Sequence, residues 1–300
     1  MIEDRIRDTA FGLGFDAAGI AAPEPLPYPG MLRRWLAAGC HATMGWMERR
    51  VEQREDVRRL IPGVKSVVCV ALNSYNSVPG GSGVATYARN VDYHLIFAEK
   101  LRRLAEQIRT IIPLCSVRAF CDTSAVLERA WAERAGIGWI GKNAHLMSRR
   151  FGAWLLLGGL LVDRELRPDQ SHPNMCGRCD RCLRACPTGA IRADYTVDSR
   201  RCISYLTIEH RGEIPADLAP ALGGHLFGCD LCLAACPFNR FQRETSEPRL
   251  LPGPHLKLLD EIPRMDEAEF KAHFGETPLA RPKLAGMQRN YALSMMGVAG

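Results

Sequence analysis

A chain of 300 residues, 47% hydrophobic and 24% charged, is long enough to bury a substantial core in two or so subdomains, which excludes a disordered or fibrous polypeptide. Its longest apolar stretch, Phe151 to Val162, is broken by Gly152, Gly158 and Gly159 and is too short to span a bilayer, so no membrane partner is expected. The net charge is +6 and arginine supplies 33 of the 39 basic residues, a bias that suits phosphate recognition, although an arginine-favouring genome or an anionic cofactor would explain it equally.

In chain order, residues 2–13 read as an amphipathic helix carrying acidic residues, neither a signal peptide nor a twin-arginine leader, and the expectation is a cytoplasmic protein. Phe15 to Ile20 reads as a short strand, and Pro23, Pro25, Pro27, Pro29 and Gly30 as an extended connector. Helices are predicted over Met31–Ala38 and Thr43–Arg50. Ser66 to Leu72 is a continuous β-rich apolar run and belongs at the centre of a sheet, with Cys69 in the core. A Gly/Ser/Pro loop covers Asn73 to Gly83, and a long helix runs from about Asp92 to Ile112. Ser116 to Asp122 reads as a strand ending in a carboxylate. The next helix starts near Ser124 as N-cap, with Glu128 in its first turns, and ends at Gly136 to Asn143. Two strands are predicted within Ala153 to Val162. The fold class is then α+β, with a mixed sheet and helices over residues 1–170, a cysteine-rich segment over 171–240, and a Pro-punctuated helical segment over 241–300.

That middle segment holds eight of the twelve cysteines. Cys176, Cys179, Cys182 and Cys186-Pro187 form a C-x2-C-x2-C-x3-C-P run; Cys202 follows alone, and Cys229, Cys232 and Cys236-Pro237 form a second run. This is the ligand pattern of bacterial ferredoxins with two [4Fe-4S] clusters, in which the fourth cysteine of a run crosses to the other cluster. One cluster is therefore assigned to Cys176, Cys179, Cys182 and Cys236, the other to Cys186, Cys202, Cys229 and Cys232. Zinc would use CxxC pairs but four ligands per ion, leaving the closing Cys-Pro of both runs unexplained, and disulfides would need an oxidising compartment.

A ferredoxin needs little beyond such a segment, so the long preceding region has room for a second cofactor and a substrate. Gly136-Ile-Gly138-Trp-Ile-Gly141 has the letters of a dinucleotide fingerprint, but it follows a helix where the fingerprint opens one. Asp122, at a strand end among apolar residues, reads either as a carboxyl held protonated for acid catalysis or as a turn-forming cap. Lys142 and Asn143 follow a glycine turn and offer donors to a polyanionic or amide-rich cofactor, or to water. Asp92-Tyr-His94 resembles the start of the D-x-H-x-x-G cobalt-ligand sequence, but Phe97 stands where that sequence has Gly, which favours a capping or supporting role for His94.

Four blocks together resemble the epoxyqueuosine reductases, iron–sulfur and cobalamin enzymes of tRNA modification. They are Arg54-Glu-Asp-Val-Arg-Arg-Leu-Ile-Pro-Gly63, Tyr87 to His94, Asp122 to Arg129 running on through Gly138 to Asn143, and the double cysteine block with Arg201 to Gly212 and Phe227 to Cys232. Departures are Ser124-Ala125 after Asp122-Thr123, Phe238 where Trp is common, and no obvious copy of the C-terminal helical repeat that helps hold tRNA. The resemblance implies a cobalamin-binding catalytic domain before the clusters. It implies reduction of epoxyqueuosine to queuosine at the tRNA wobble position, with electrons passing from the clusters to base-off cobalamin that has no protein histidine on cobalt. Asp122 is then the proton donor, and Arg54, Tyr87, Asp122, Gly141, Lys142, Asn143, Leu146, Tyr205 and Asp230 are the expected cofactor contacts. The implied partners are a tRNA with a queuosine-type wobble base and an external low-potential electron donor, with the chain acting as a monomer. The alternatives are a corrinoid-dependent reductive dehalogenase, typically exported and using a tyrosine acid, and a non-catalytic ferredoxin-like carrier.

Overall fold

The computed structural model describes all residues except 29, 79–82 and 297–300, so Pro29 of the connector and part of the 73–83 loop lie outside it. Helix α1 (Ile2–Gly12) leads into strand β1 (Ala17–Ala21), and α2 (Met31–Ala37) follows. The helix predicted over Thr43–Arg50 is instead a 3₁₀ turn at Gly45–Met47, with α3 (Val51–Glu55) starting beyond it. Arg50 adopts a left-handed φ of 58° between them, which a continuous helix does not allow. Strand β2 (Ser66–Asn73), helix α4 (Tyr93–Ile111), strand β3 (Val117–Phe120), helix α5 (Glu128–Arg134), the short pair β4 (Trp139–Ile140) and β5 (Leu146–Met147), and strand β6 (Leu155–Val162) complete the first region.

The main sheet has the order β1-β2-β6-β3, and every neighbouring pair is antiparallel. This corrects the mixed sheet expected from strands and helices that follow one another without regular βαβ alternation. β2 and β3, joined through α4, do run in the same direction, but β6 inserts between them antiparallel to both. The central position of β2 explains its unbroken apolar run. Val68, Val70 and Leu72 face α1 and α4 on one side, and Val67, Cys69 and Ala71 face α5 on the other. All eight of its residues are buried.

The two strands predicted within Ala153 to Val162 are one strand. Gly158 and Gly159 lie inside it and serve close packing: a Cβ at Gly158 would stand 2.6 Å from the Phe97 ring, and one at Gly159 would stand 2.3 Å from the Val68 carbonyl. The glycine run at 136–141 forms part of the β4–β5 ribbon, not a nucleotide loop.

Beyond β6 the helices are short: α6 (Arg181–Ala185), α7 (Ile203–Ile208) and α8 (Leu231–Ala234) lie among the cysteines, of which Cys182 and Cys232 are helical and the rest flank these helices, and α9 (Glu267–Phe274) and α10 (Lys283–Met296) follow among 3₁₀ turns. The last helix is tied back to the cysteine segment. Fully buried Asn290 donates to the carbonyls of Thr207 (2.8 Å) and Leu226 (2.9 Å), and the Arg289 guanidinium donates to those of Leu206, His210 and Gly212. A parallel bridge between Val84 and Phe227 joins the same segment to the region before α4, placing the cysteines beside the sheet domain. No helix among the described residues is long and apolar enough to cross a membrane.

Candidate active site

The cysteines stand in two groups around the short helices α6, α7 and α8. A hollow beside α6 and α8 is lined by Cys176, Cys179, Cys182 and Cys236, the set expected if the last cysteine crosses over, together with Gly141, Lys142 and Asn143. The loop that carries the first two is held from the β4–β5 turn: Lys142 Nζ donates to the carbonyls of Gly177 (2.9 Å) and Cys179 (2.8 Å). Of the other four, Cys202, Cys229 and Cys232 have raised pKa values, in each case through burial first. Burial first, then Cys202 and the charges of Asp230 and Cys186, pushes the Cys229 thiol up to about 12, and Cys232 is raised by burial and then by Cys202 and Cys229. Ala190 N–H donates to Cys186 Sγ at 3.3 Å. All eight are free thiols. Eight crowded, half-buried sulfurs can ionise together only around strong positive charge, which iron supplies, and N–H···S contacts of this kind help set a cluster's potential. Among the described residues no three His, Cys, Asp or Glu side chains are arranged to hold a single metal ion. The donor set fits two clusters.

The second centre lies where β3 ends. Asp122 takes a left-handed φ of 55°, and its backbone N–H donates to the Glu128 carboxyl. Its side chain is 64% exposed, and Oδ2 lies 3.4 Å from His94 Nε2, too poorly aligned for a full hydrogen bond. The other ring nitrogen, His94 Nδ1, is 2.6 Å from Asp92 Oδ1; Asp92 is also the N-cap of α4, accepting from the His94 N–H at 2.9 Å. Tyr93 stacks on the imidazole with centroids 4.2 Å apart.

This arrangement decides where the proton resides. Burial alone would lower the His94 pKa, but Asp122 and Asp92 on either side overcome it and raise the ring to about 9. His94 in turn holds Asp122 below the ordinary carboxylate range, against the opposing effect of burial. These shifts run against the expectation of a protonated Asp122: their directions favour an ionised Asp122 and a protonated His94. The sequence showed apolar neighbours at Asp122 but not the histidine facing it from the start of α4. Glu128 is the neutral carboxyl of the pair, pushed up to about 8 by burial and then by the charge of Asp122. Sequence reasoning placed Glu128 as a helix-dipole residue and Ser124 as the cap; α5 instead starts at Glu128 behind Leu127, with no side-chain cap.

Comparison with known proteins bears on both centres. Residues 175–239 match the model described as "4Fe-4S double cluster binding domain", and residues 54–123 match "Epoxyqueuosine reductase QueG, DUF1730". The epoxyqueuosine reductase of Gloeobacter violaceus is 40% identical over 99% of this chain and 96% of its own length. The chain belongs to the epoxyqueuosine reductase family. Among solved members, the reductase with an epoxyqueuosine-modified tRNA-Tyr stem loop is 28% identical with a TM-score of 0.89, covering 99% of this chain and 81% of that one. The Bacillus subtilis reductase, with its catalytic aspartate loop swung out of the active site, is 27% identical with a TM-score of 0.88 and the same coverage.

The residues expected to serve the cofactor in this family divide into three places. Arg54, Tyr87, Asp122 and Asp230 share one electrostatic neighbourhood. Burial lowers the Arg54 pKa, Asp122 opposes that, and Tyr87 is raised by burial and then by Asp122 and Asp230. Arg54 Nη2 donates to the Trp46 carbonyl at 3.3 Å while its buried Nε has no partner, and Asp230 accepts from the Thr86 N–H at 2.7 Å. Arg281, paired with Glu209 at 3.0 Å and set over the Trp46 ring at 5.3 Å, belongs to the same region and was missed; nothing in its local sequence marks it. Gly141, Lys142 and Asn143 line the first cysteine hollow, where Asn143 Nδ2 reaches the Cys232 carbonyl at 3.4 Å. Leu146 and Tyr205 are buried in apolar clusters, the Tyr205 hydroxyl bonded to Thr43 Oγ1 at 2.6 Å.

Proposed function

We propose that this chain removes the epoxide oxygen of epoxyqueuosine at the wobble position of tRNA, yielding queuosine, with two electrons and two protons entering and water leaving. The observation that carries this is the Asp92–His94–Asp122 array, a stored proton behind an exposed carboxylate, on a family member that also presents eight clustered cysteines. The cysteines divide between two [4Fe-4S] clusters as Cys176, Cys179, Cys182, Cys236 and Cys186, Cys202, Cys229, Cys232. Cobalamin, when bound, supplies the low-potential carbon-directed chemistry that no side chain provides.

The buried, unpartnered Nε of Arg54 supports a corrin site, because a corrin rim is rich in amide oxygens that accept such a donor. Tyr87 and Asp230 offer further contacts in the same neighbourhood. A histidine held protonated between two carboxylates has no lone pair for a metal, which supports cobalt bound without a protein imidazole.

The chain's own work is proton delivery. His94 Nε2 holds a proton beside Asp122, Asp122 passes it to the departing oxygen, and Asp92 fixes the ring that refills it. Spared an alkoxide leaving group, the reaction gains on the order of 10²–10⁴-fold. Residues 1–170 form the catalytic domain, 171–240 the cluster domain and 241–300 a helical segment packed on both. The chain works as a cytoplasmic monomer fed by an external low-potential donor. The test is anaerobic incubation of the iron- and cobalamin-loaded chain with epoxyqueuosine tRNA and a chemical reductant. Loss of one oxygen from the nucleoside by mass supports the reading, and unchanged nucleoside with full cofactor occupancy overturns it.

A further inference from the structure

Away from both centres, a hollow of about 350 Å³ is bounded by Arg50, Gln53, Arg59, Leu60 and Arg118. It brings together the entry to α3, the 3₁₀ turn at Val57–Arg59 and the edge strand β3. Arg50 and Arg118 are exposed and have no carboxylate partner among the described residues. Arg59 pairs with Glu52 at 2.8 Å, with both side chains more than 60% exposed, and so loosely that a stronger anion can displace the carboxylate. Three like charges with only one loosely held carboxylate among them repel one another and are relieved by a polyanion.

The position of the hollow names the polyanion. Arg118, on β3, precedes Asp122 by four residues, no more than about 14 Å of extended chain. Arg50 lies one helical turn before Arg54, whose guanidinium feels the Asp122 charge. A strand of stacked RNA covers that span in roughly four nucleotides. We propose that the Arg50–Arg59–Arg118 hollow binds backbone phosphates of the RNA strand flanking the nucleotide presented to Asp122. This rests on the tRNA reading above. It assigns part of the docking surface to the sheet domain itself, independently of any C-terminal repeat.

The test measures binding of an unmodified anticodon stem-loop RNA to the loaded chain by fluorescence anisotropy across a salt series, for the parent and for Arg50→Gln/Arg118→Gln. Iron content and thermal midpoint verify that the variant is folded. Each lost phosphate contact lowers the slope of log affinity against log salt by about 0.7–0.9, so the pair should lower it by about 1.4–1.8 and weaken binding on the order of tenfold at physiological salt. The maximal rate at saturating substrate RNA should be unchanged, with KM raised. Parent-like affinity and slope overturn the proposal. So does unchanged RNA binding with slower turnover on an acidic electron-donor protein, which would make the hollow a donor-docking site. A parent chain that binds the RNA but leaves epoxyqueuosine intact sinks the functional reading alone, and the variant's slope still decides the phosphate site.

Discussion

The backbone N–H of Asp122 is held by the carboxyl of Glu128, a half-buried partner whose pKa is pushed up to about 8, so Asp122 is clamped in a left-handed conformation. Replacing Glu128 by Ala should release the loop and lower the rate about tenfold or more, since small misplacements of catalytic groups are costly. Glu128→Gln, which keeps an acceptor oxygen, should retain most activity. Single-turnover rates on epoxyqueuosine tRNA check both.

Glu128 also gives the fold a pH dependence of definite sign. Its folded pKa, about 8, is above the ordinary 4.5, so its contribution to stability is fully present below 4.5 and is lost as pH rises through about 8. Glu128→Gln removes that loss. Thermal melts should show the variant more stable than the parent above pH 8, with the gap closing below 4.5; a constant gap at all pH values would refute the assignment.

His94 moves in the same sense for the opposite charge reason. Raised from 6.5 to about 9, it contributes stability present in full below 6.5 and lost as pH passes about 9. Turnover that depends on its proton should fall on the same alkaline limb. His94→Gln should abolish that limb and slow turnover on the order of 10²-fold, with iron content unaffected, as read from the pH–rate profile.

Much of this was legible in the sequence, for physical reasons that also explain the rest. The cysteine runs announce their chemistry because ligand spacing is local, and β2 announces itself because burial on both faces demands an unbroken apolar run. Asp92 was readable as the start of α4, where its carboxylate caps the helix. The meeting of His94 with Asp122 was not readable, since the residues belong to different elements joined only by the fold. The close packing of Gly158 and Gly159 against Phe97 and Val68 was not readable, since a glycine spared for packing looks in sequence like one spared for a turn. Lys142 looked like a free donor because the carbonyls it holds lie in the cysteine loop far along the chain.

Lys142→Met should therefore act on the clusters and not on the proton. Two carbonyls of the Cys176–Cys179 loop lose their donor; the exposed Gly177 carbonyl turns to water, while the part-buried Cys179 carbonyl loses up to about 1–3 kcal/mol if left unpaired. The variant should lose iron to a chelator faster than the parent while retaining the alkaline limb of the pH–rate profile. Iron release at the parent's rate would show that the contact does not hold the loop.

The most direct measurement is the turnover of epoxyqueuosine tRNA by Asp122→Asn, with cluster and cobalamin content matched to the parent. Asparagine keeps the shape and backbone of the residue but cannot pass a proton from His94 to the leaving oxygen, so the rate should fall by about 10²–10⁴-fold. Turnover at the parent's rate with full cofactor content would contradict the role given to Asp122 and to the histidine behind it.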